Sequence, residues 1–379
     1  MIIQSTRVWL ASQFVGAQLE IEDGKIASIY PYAFKDVDYD YGDNRIVPGF
    51  YDIHTHGYDG WDTNDATPEG LHHWLKEIVK EGVCGLCPTT ITQSHEVLSN
   101  ALKNVAKVYE EKPEGAEILG IHFEGPYLDM HYKGAQPEEY IIKGTVEEFK
   151  QYQEDGKGLI KIITMAPEHD DDFTLVKYLA HNNVNVSIGH SNATYDEALF
   201  AIANGARSFT HVYNGMTAFN HRNNGIIGAA LRFKNTFGEI ICDGNHSTPA
   251  ALNIYFTSKP ENCIMISDSL MCKGKPVGSK FLFGGQEIEI YPDGSAHLTG
   301  GSKGLAGSTL KINEGLKILV EKAMVPFEVA LASCTCNPMR YLKMDDHKGY
   351  IKTGYDADIV VLADDYSVVQ TYCKGVSYL

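Results

Sequence analysis

The chain has 379 residues, 44% of them hydrophobic and 21% charged, which is typical of a soluble globular protein larger than one small core. Its 49 acidic and 32 basic side chains give a formal net charge of −17, which disfavours binding to nucleic acid or to an anionic membrane. The start of the sequence lacks a signal-peptide pattern, and no apolar run is long enough to cross a membrane. These features predict a cytoplasmic protein without nucleic-acid or membrane partners.

Eight cysteines in a chain of this length do not predict a disulfide framework. The pair Cys84 and Cys87 has a spacing found in metal and redox sites. The surrounding segment GVCGLCPTT is typical of a strand, however, in which residues three apart point to opposite faces. Cys334 and Cys336 do not provide a matching second pair. We therefore expect structural thiols in a reducing cytosol.

Both ends of the chain are rich in short alternating runs. Residues 1–47 contain strand-like runs on either side of Asp23-Gly24, a hairpin signal. Residues 346–379 alternate in the same way. Because neither end alone could enclose a core, we expect the two to form one small β-sandwich domain.

Residues 48–345 alternate between eight short β-rich runs and segments with helical periodicity. Such alternation predicts parallel βαβ units, and eight of them predict a closed (β/α)8 TIM-type barrel. One segment near residues 281–300 interrupts the pattern. Its two alternating runs flank Asp293-Gly294, so we expect a β-hairpin inserted after the eighth barrel strand.

Residue types that bind metals occur at or near the ends of six of the eight runs. In chain order, they are His54 and His56, Glu124, His190, His211, His246 and Asp268. The carboxyl ends of parallel barrel strands meet on one face, where active sites of this architecture lie. Imidazole and carboxylate ligands suit zinc, iron, manganese or cobalt. The sequence therefore predicts a metal site at this face of the barrel.

The remaining histidines fit this pattern less well. His122 shares a strand face with Glu124, and we expect it to support the site rather than to bind metal. Five others lie in helical or polar stretches, where surface or structural roles are expected: His72, His73, His95, His181 and His347.

Seven segments in order resemble the motif series of the N-acetylglucosamine-6-phosphate deacetylases of the amidohydrolase superfamily. They are VPGFYDIHTHG, GIHFEGPYLDMHYKGAQ, SIGHSNATYDEA, THVYNGM, CDGNHSTP, ISDSL and GLAGS, and the resemblance continues in the closing GYIKTGYDADIVVL. The His-x-His pair alone would indicate only the superfamily. Glu-Gly-Pro at 124–126 and His-Val-Tyr-Asn-Gly-Met at 211–216 are much more specific to the deacetylases.

The resemblance implies a barrel of the metal-dependent hydrolase kind, with a ligand set and a reaction. Glu124, His190 and His211 would hold the principal metal, and Asp268 would accept and return a proton. Some members replace the His-x-His pair with Gln and Asn and carry one metal. Since this chain keeps His54 and His56, it resembles members with two, so we expect one or two divalent ions per subunit. Zinc or iron is favoured, with manganese or cobalt as alternatives.

The implied substrate is a small phosphorylated amino sugar, N-acetylglucosamine 6-phosphate, whose acetyl amide would be hydrolysed by metal-activated water in amino-sugar catabolism. Matching substrate-contact positions are Ala135, Gln136, Asn214, Gly215, Arg222, Asp243, Gly244, Asn245, His246, Leu305, Ala306 and Gly307. Arg222 would reach the phosphate across a homodimer interface. Gln136 stands where several relatives have His. A glutamine side chain can still donate a hydrogen bond, but unlike histidine it cannot carry a charge.

Two alternatives remain open from the sequence. Another amidohydrolase, of the dihydroorotase, cytosine deaminase or D-amino-acid deacylase type, would share the barrel and the His-x-His pair. Some of those enzymes place a carboxylated lysine where Glu124 stands, and the run ILGIHFEG contains no lysine. A catalytically inactive barrel used for binding is the other alternative. It has no need of the full ligand set together with Asp268.

Overall fold

The computed structural model describes residues 1–300 and 304–379; residues 301–303, within the predicted barrel segment, lie outside the described residues. Eight parallel strands form the barrel: Phe50–Thr55, Val83–Pro88, Ile121–Glu124, Ile160–Met165, Asn185–Ile188, Ser208–Phe209, Phe237–Ile241 and Cys263–Ile266. The bridge between Thr89 and His122 joins the second strand to the third. The Asp268 N–H donates to the His54 carbonyl at 2.9 Å and links the eighth strand to the first. The predicted (β/α)8 barrel is confirmed.

Helices connect the barrel strands and cover their outer faces. The α-helices are Pro68–Glu77, His95–Glu111, Val146–Asp155, Thr174–His181, Tyr195–Ala203, Gly225–Arg232, Pro249–Ser258, Ile312–Lys317, Phe327–Cys334 and Cys336–Leu342. Thr194 shows why one of them begins where it does. Its hydroxyl accepts from the Glu197 N–H, and the Glu197 carboxylate accepts from the Thr194 N–H, a reciprocal cap that satisfies two helix-end donors. Within the described residues, no helix combines the length and apolar character needed to span a membrane.

Strands from both chain ends form one connected sheet beside the barrel. The strands are Ile2–Leu10, Gln13–Glu22, Lys25–Pro31, Tyr39–Asp40, Arg45–Pro48, Ile359–Leu362, Val368–Cys373 and Val376–Ser377. The hairpin predicted at Asp23-Gly24 is present. Arg45–Pro48 pairs with Ile359–Leu362, and this pairing unites the two termini around an apolar cluster of their own. The domain boundaries themselves stay a prediction.

The insertion after the eighth barrel strand contains three strands where the sequence pattern predicts two. Gln286–Ile290 pairs with Ala296–Leu298 around the expected Asp293-Gly294 turn. A further strand, Lys280–Phe283, pairs with Gln286–Ile290 through a turn at residues 284–285. Its side chains are only partly buried, which explains why it lacks a clear hydrophobic alternation.

A buried lysine joins the terminal sheet to the barrel. Lys348 Nζ lies 2.8 Å from Glu117 Oε2, 2.8 Å from Asp356 Oδ2 and 2.9 Å from Asp358 Oδ2. Burial lowers the pKa of Lys348, but Asp358 and Glu117 raise it well above its usual value. Asp358 also accepts from the hydroxyl of Tyr51, on the first barrel strand. One ammonium group therefore balances carboxylates from both parts of the fold.

We predict that Lys348→Met lowers the free energy of unfolding by about 3–5 kcal/mol, because it leaves buried carboxylates without their shared cation. Urea or guanidinium unfolding of both proteins measures the change. Lys374→Met is the matched control, since the Lys374 side chain is half exposed and pairs with Glu117 of this group, while its contact with Asp358 is made by the backbone N–H and is kept. A change of about 1 kcal/mol or less is expected there. Equal stability of the Lys348 variant and the parent would contradict the assignment.

Candidate metal centre and active site

The carboxylate of Glu124, at the end of the third barrel strand, lies at the centre of a cluster of buried imidazoles. Its Oε1 atom is 3.3 Å from His211 Nε2, 3.4 Å from His54 Nε2 and 3.5 Å from His190 Nε2. Its Oε2 atom is 3.3 Å from His56 Nε2. The five residues come from four different strand ends, as the alternation of strands and helices predicts.

The four imidazoles are all held at their other nitrogen. Each Nδ1 faces an acceptor: Glu239 Oε2 at 2.8 Å for His54, the Thr89 carbonyl at 3.2 Å for His56, the Tyr132 carbonyl at 2.7 Å for His190 and the Asn214 carbonyl at 3.0 Å for His211. Because carbonyls and carboxylates only accept, each Nδ1 must carry the hydrogen. The Nε2 atoms, which can bind a metal ion or a second proton, are therefore directed at Glu124.

This arrangement fits a divalent cation. His190 Nε2 and His211 Nε2 are only 3.1 Å apart, and two lone pairs at that distance repel each other unless a positive charge lies with them. His54 Nε2 and Glu124 Oε1 are buried without a hydrogen-bond partner. Among the described residues, four sets of donors lie close enough to hold an ion, and two of them share Glu124: His54–His56–Glu124 and Glu124–His190–His211. The other two are His54–His122–Glu239 and Asp129–Glu168–His169. The donor chemistry suits zinc and similar transition metals.

The pKa values of the imidazoles also indicate that the carboxylates of the site require positive charge beside them. Burial lowers the pKa of His54, but Glu124 and Asp268 raise it to about 9. Burial likewise opposes protonation of His56, whose pKa the same two carboxylates raise to about 10. In the metal-free protein, protons thus provide the positive charge that the carboxylates require. A divalent ion would displace those protons, since a histidine ligand must be neutral.

Asp268 lies beside this cluster. Its Oδ1 atom is 3.2 Å from His56 Nε2 and 3.6 Å from His54 Nε2. Burial raises the pKa of Asp268, but the two imidazoles lower it to about 2, so the group is an ionised proton acceptor at neutral pH. Asp268, His190 and His211 all have positive φ angles, of 50°, 48° and 28°. Such backbone strain in non-glycine residues is typical of functional sites.

A cavity of about 270 Å³ opens above the cluster. Among the predicted substrate-contact positions, its wall includes Ala135, Gln136, Asn214, Gly215, His246, Leu305 and Gly307. The remaining positions, Arg222, Asp243, Gly244, Asn245 and Ala306, are not part of that wall. Phe283 of the inserted sheet also lines the cavity, and its ring centroid lies 5.4 Å from that of His56. The insertion therefore contributes directly to the site.

Three supporting contacts are not evident from the sequence pattern. Gln136 Nε2 donates to Glu124 Oε2 at 2.8 Å, so this side chain positions the central carboxylate as well as lining the cavity. Asp243 Oδ2 accepts from His246 Nδ1 at 2.7 Å and leaves His246 Nε2 for a ligand. Glu239 holds His54. A charged residue inside the otherwise apolar run FGEII is the signal that could have indicated Glu239.

His122 does not join the ligand set. Its Nε2 accepts from the Thr164 hydroxyl at 2.7 Å, and its Nδ1 donates to the Ile53 carbonyl at 3.1 Å. Burial and the neighbouring His54 hold the pKa of His122 well below its usual value. With both nitrogens engaged, His122 supports the barrel interior. Cys84 and Cys87 are free, buried thiols, as predicted.

Comparisons with known proteins agree with this geometry. The model of the amidohydrolase family matches residues 45–377. An N-acetylglucosamine-6-phosphate deacetylase of Bacillus subtilis is 39% identical over 94% of this chain and 91% of its own length. An N-acetylgalactosamine-6-phosphate deacetylase of Escherichia coli O157:H7 is 33% identical over 94% of this chain and 93% of its own.

A solved structure of a Mycobacterium smegmatis N-acetyl-D-glucosamine-6-phosphate deacetylase variant in complex with N-acetyl-D-glucosamine-6-phosphate superposes with a TM-score of 0.94. It is 26% identical and covers 100% of this chain and 99% of its own. The fold and the site thus define a metal-dependent hydrolase. More particularly, the chain belongs to the N-acetylglucosamine-6-phosphate deacetylases of the amidohydrolase family.

We predict that His211→Ala lowers the metal affinity of the Glu124–His190–His211 set. Losing a ligand should cost more than the roughly 10- to 100-fold typical of losing a supporting contact. Metal analysis after dialysis and competition with a chromogenic chelator measure the loss. His181→Ala, at an exposed helix end, is the control and should retain the parent's metal content. Unchanged metal affinity in the His211 variant would contradict the ligand assignment.

Proposed function

We propose that this enzyme hydrolyses the N-acetyl amide of N-acetylglucosamine 6-phosphate to glucosamine 6-phosphate and acetate. The observation that carries the proposal is the ionised Asp268 beside the histidine–glutamate cluster, at the base of a cavity of about 270 Å³. Several relatives between 31% and 39% identical to the chain are named as deacetylases of this substrate. The proposed setting is the cytoplasm, in amino-sugar catabolism.

Glu124, His190 and His211 would hold the principal ion, and His54 and His56 with Glu124 a second, zinc or iron in each case. When bound, such an ion lowers the pKa of water towards about 7 and polarises an acyl oxygen. Asp268 accepts the proton of the attacking water and returns it to the amine nitrogen as the carbon–nitrogen bond breaks. That return is required because an unprotonated amine is a poor leaving group.

The cavity wall supplies the groups that orient the sugar. His246, fixed by Asp243, can accept at Nε2 from a sugar hydroxyl or, when protonated, donate to the acetyl carbonyl. The backbone turn at Asn214 and Gly215 lines the opposite wall, where Gly215 has a φ of 60° that favours glycine. A Cβ atom at Gly215 would lie 3.0 Å from His190 Nδ1. The close approach of this turn to the ligands thus depends on the missing side chain.

Purified metal-loaded protein should release acetate from N-acetylglucosamine 6-phosphate. Asp268→Asn preserves size but removes the proton acceptor, and kcat should fall by roughly 10²–10⁴. Metal content should remain that of the parent, which separates loss of the base from loss of the centre. Acetate release measured by a coupled assay, together with metal analysis, tests both statements.

The same assay with three other sugars defines the substrate. N-acetylgalactosamine 6-phosphate tests the activity by which the Escherichia coli relative is named, unphosphorylated N-acetylglucosamine tests the need for the phosphate, and N-acetylmannosamine 6-phosphate tests the configuration at the acetylated carbon. Faster turnover of any of these than of N-acetylglucosamine 6-phosphate would contradict the proposed substrate. A variant at Asp268 that keeps more than about a tenth of kcat would contradict its role as the base.

Arg222 lies on an exposed loop outside the cavity wall of its own subunit. Its N–H donates to Asn220 Oδ1 at 3.0 Å, and the side chain of Phe219, in the same loop, is 53% exposed. An exposed aromatic ring next to a guanidinium group for which no partner is recorded among the described residues suits a surface that a second subunit covers. We therefore propose a homodimer in which Arg222 reaches the phosphate bound by the neighbouring subunit.

We predict that Arg222→Ala raises KM for the phosphorylated sugar with a smaller effect on kcat, a loss of about 2–4 kcal/mol in kcat/KM for a charge-assisted contact. Subunit exchange between Arg222→Ala and Asp268→Asn proteins should restore activity at low substrate. Each mixed dimer would then contain one site with Asp268 and with Arg222 from its partner. The control is a mixture of the Arg222→Ala and Asp268→Asn homodimers under conditions in which subunits do not exchange. No recovery after exchange is demonstrated would show that Arg222 does not act across an interface.

A further inference from the structure

Glu239 is a fully buried carboxylate in the middle of the seventh barrel strand, Phe237–Ile241. Its Oε2 atom lies 2.8 Å from His54 Nδ1, and its Oε1 atom is buried without a hydrogen-bond partner. Among the described residues, no lysine or arginine is recorded in an ion pair with Glu239; its recorded ion-pair partner is His54. The recorded hydrogen bond of this buried carboxylate is therefore directed at the imidazole of His54.

The acceptors of the other three imidazoles make this contact unusual. His56, His190 and His211 donate to backbone carbonyls, which are neutral. A carbonyl would orient His54 equally well, without the cost of burying a charge. The charge on Glu239 must therefore have an effect beyond orientation. A carboxylate behind a ligating imidazole raises the basicity of the opposite nitrogen.

We propose that Glu239 is a positioning residue of the second metal site, formed by His54, His56 and Glu124. Its carboxylate keeps the hydrogen of His54 on Nδ1 and strengthens Nε2 as a ligand. Its negative charge, 2.8 Å behind the imidazole, adds to the attraction for a cation that binds at Nε2 on the other side of the ring. The inference rests on the metal centre of the proposed function.

Glu239→Gln tests the charge separately from the shape. The glutamine oxygen can accept from the same Nδ1–H, so the orientation of His54 is kept. We expect the affinity for the second ion to fall about 10- to 100-fold, while the first ion binds as in the parent. Titration of metal-free protein with zinc, in competition with a chelator, measures both steps.

Thermal unfolding separates this role from a merely structural one. The metal-free variant should unfold at about the same temperature as the metal-free parent, because the glutamine oxygen keeps the hydrogen bond to His54. The rise in Tm on saturation with zinc should be smaller in the variant. Glu81→Gln is the matched control: Glu81 is also buried, but it pairs with Lys273 at 2.6 Å. Its replacement should lower Tm equally with and without zinc.

A double-mutant cycle with His54→Gln completes the test. If Glu239 acts through His54, the double variant should bind the second ion no more weakly than His54→Gln alone. Unchanged second-ion affinity in Glu239→Gln, or an equal loss of Tm with and without zinc, would overturn the proposal. A parent that binds one ion per chain and still releases acetate would also overturn it but leave the proposed function intact. A parent that binds no metal would count against both.

Discussion

The structure depends on one electrostatic constraint, the burial of the Glu124 carboxylate among four imidazoles. A charge in such a place is stable only when positive charge surrounds it. Strand ends that are far apart in sequence must therefore converge to within 3.3–3.5 Å of the same two oxygen atoms. The closed barrel provides that convergence, since all eight carboxyl ends meet on one face.

This constraint is also visible in the backbone. His190, His211 and Asp268 adopt positive φ angles, a conformation that costs on the order of 1–3 kcal/mol for a non-glycine residue. The surrounding barrel core is extensive and apolar, and it offsets this strain. The terminal sheet lies away from the cluster and joins the barrel through Lys348 and Asp358. Its contribution is to hold the two chain ends rather than to supply ligands.

The sequence predicted what is encoded locally. Eight strand-like runs, with ligand residues at their ends, were enough to predict the barrel and the face on which His54, Glu124 and Asp268 meet. It did not predict contacts between residues remote in the chain. Glu239 and His54 are 185 positions apart, and no local pattern relates them. The expected sugar contacts at Asp243 and Arg222 depend on loop paths, which periodicity does not describe.

Backbone carbonyls from the loops fix three of the four imidazoles. Tyr132 and Asn214 belong to the same loops whose neighbouring residues, Gly134 and Gly215, line the cavity. A change in the path of either loop would therefore move an imidazole as well as the cavity wall. In the divergence of such enzymes towards new sugars, loop side chains other than Gln136 could vary, with glycine kept at position 215, while the course of the loop backbone could not. Insertions would be tolerated at the inserted sheet around Phe283, which shapes the cavity without anchoring an imidazole.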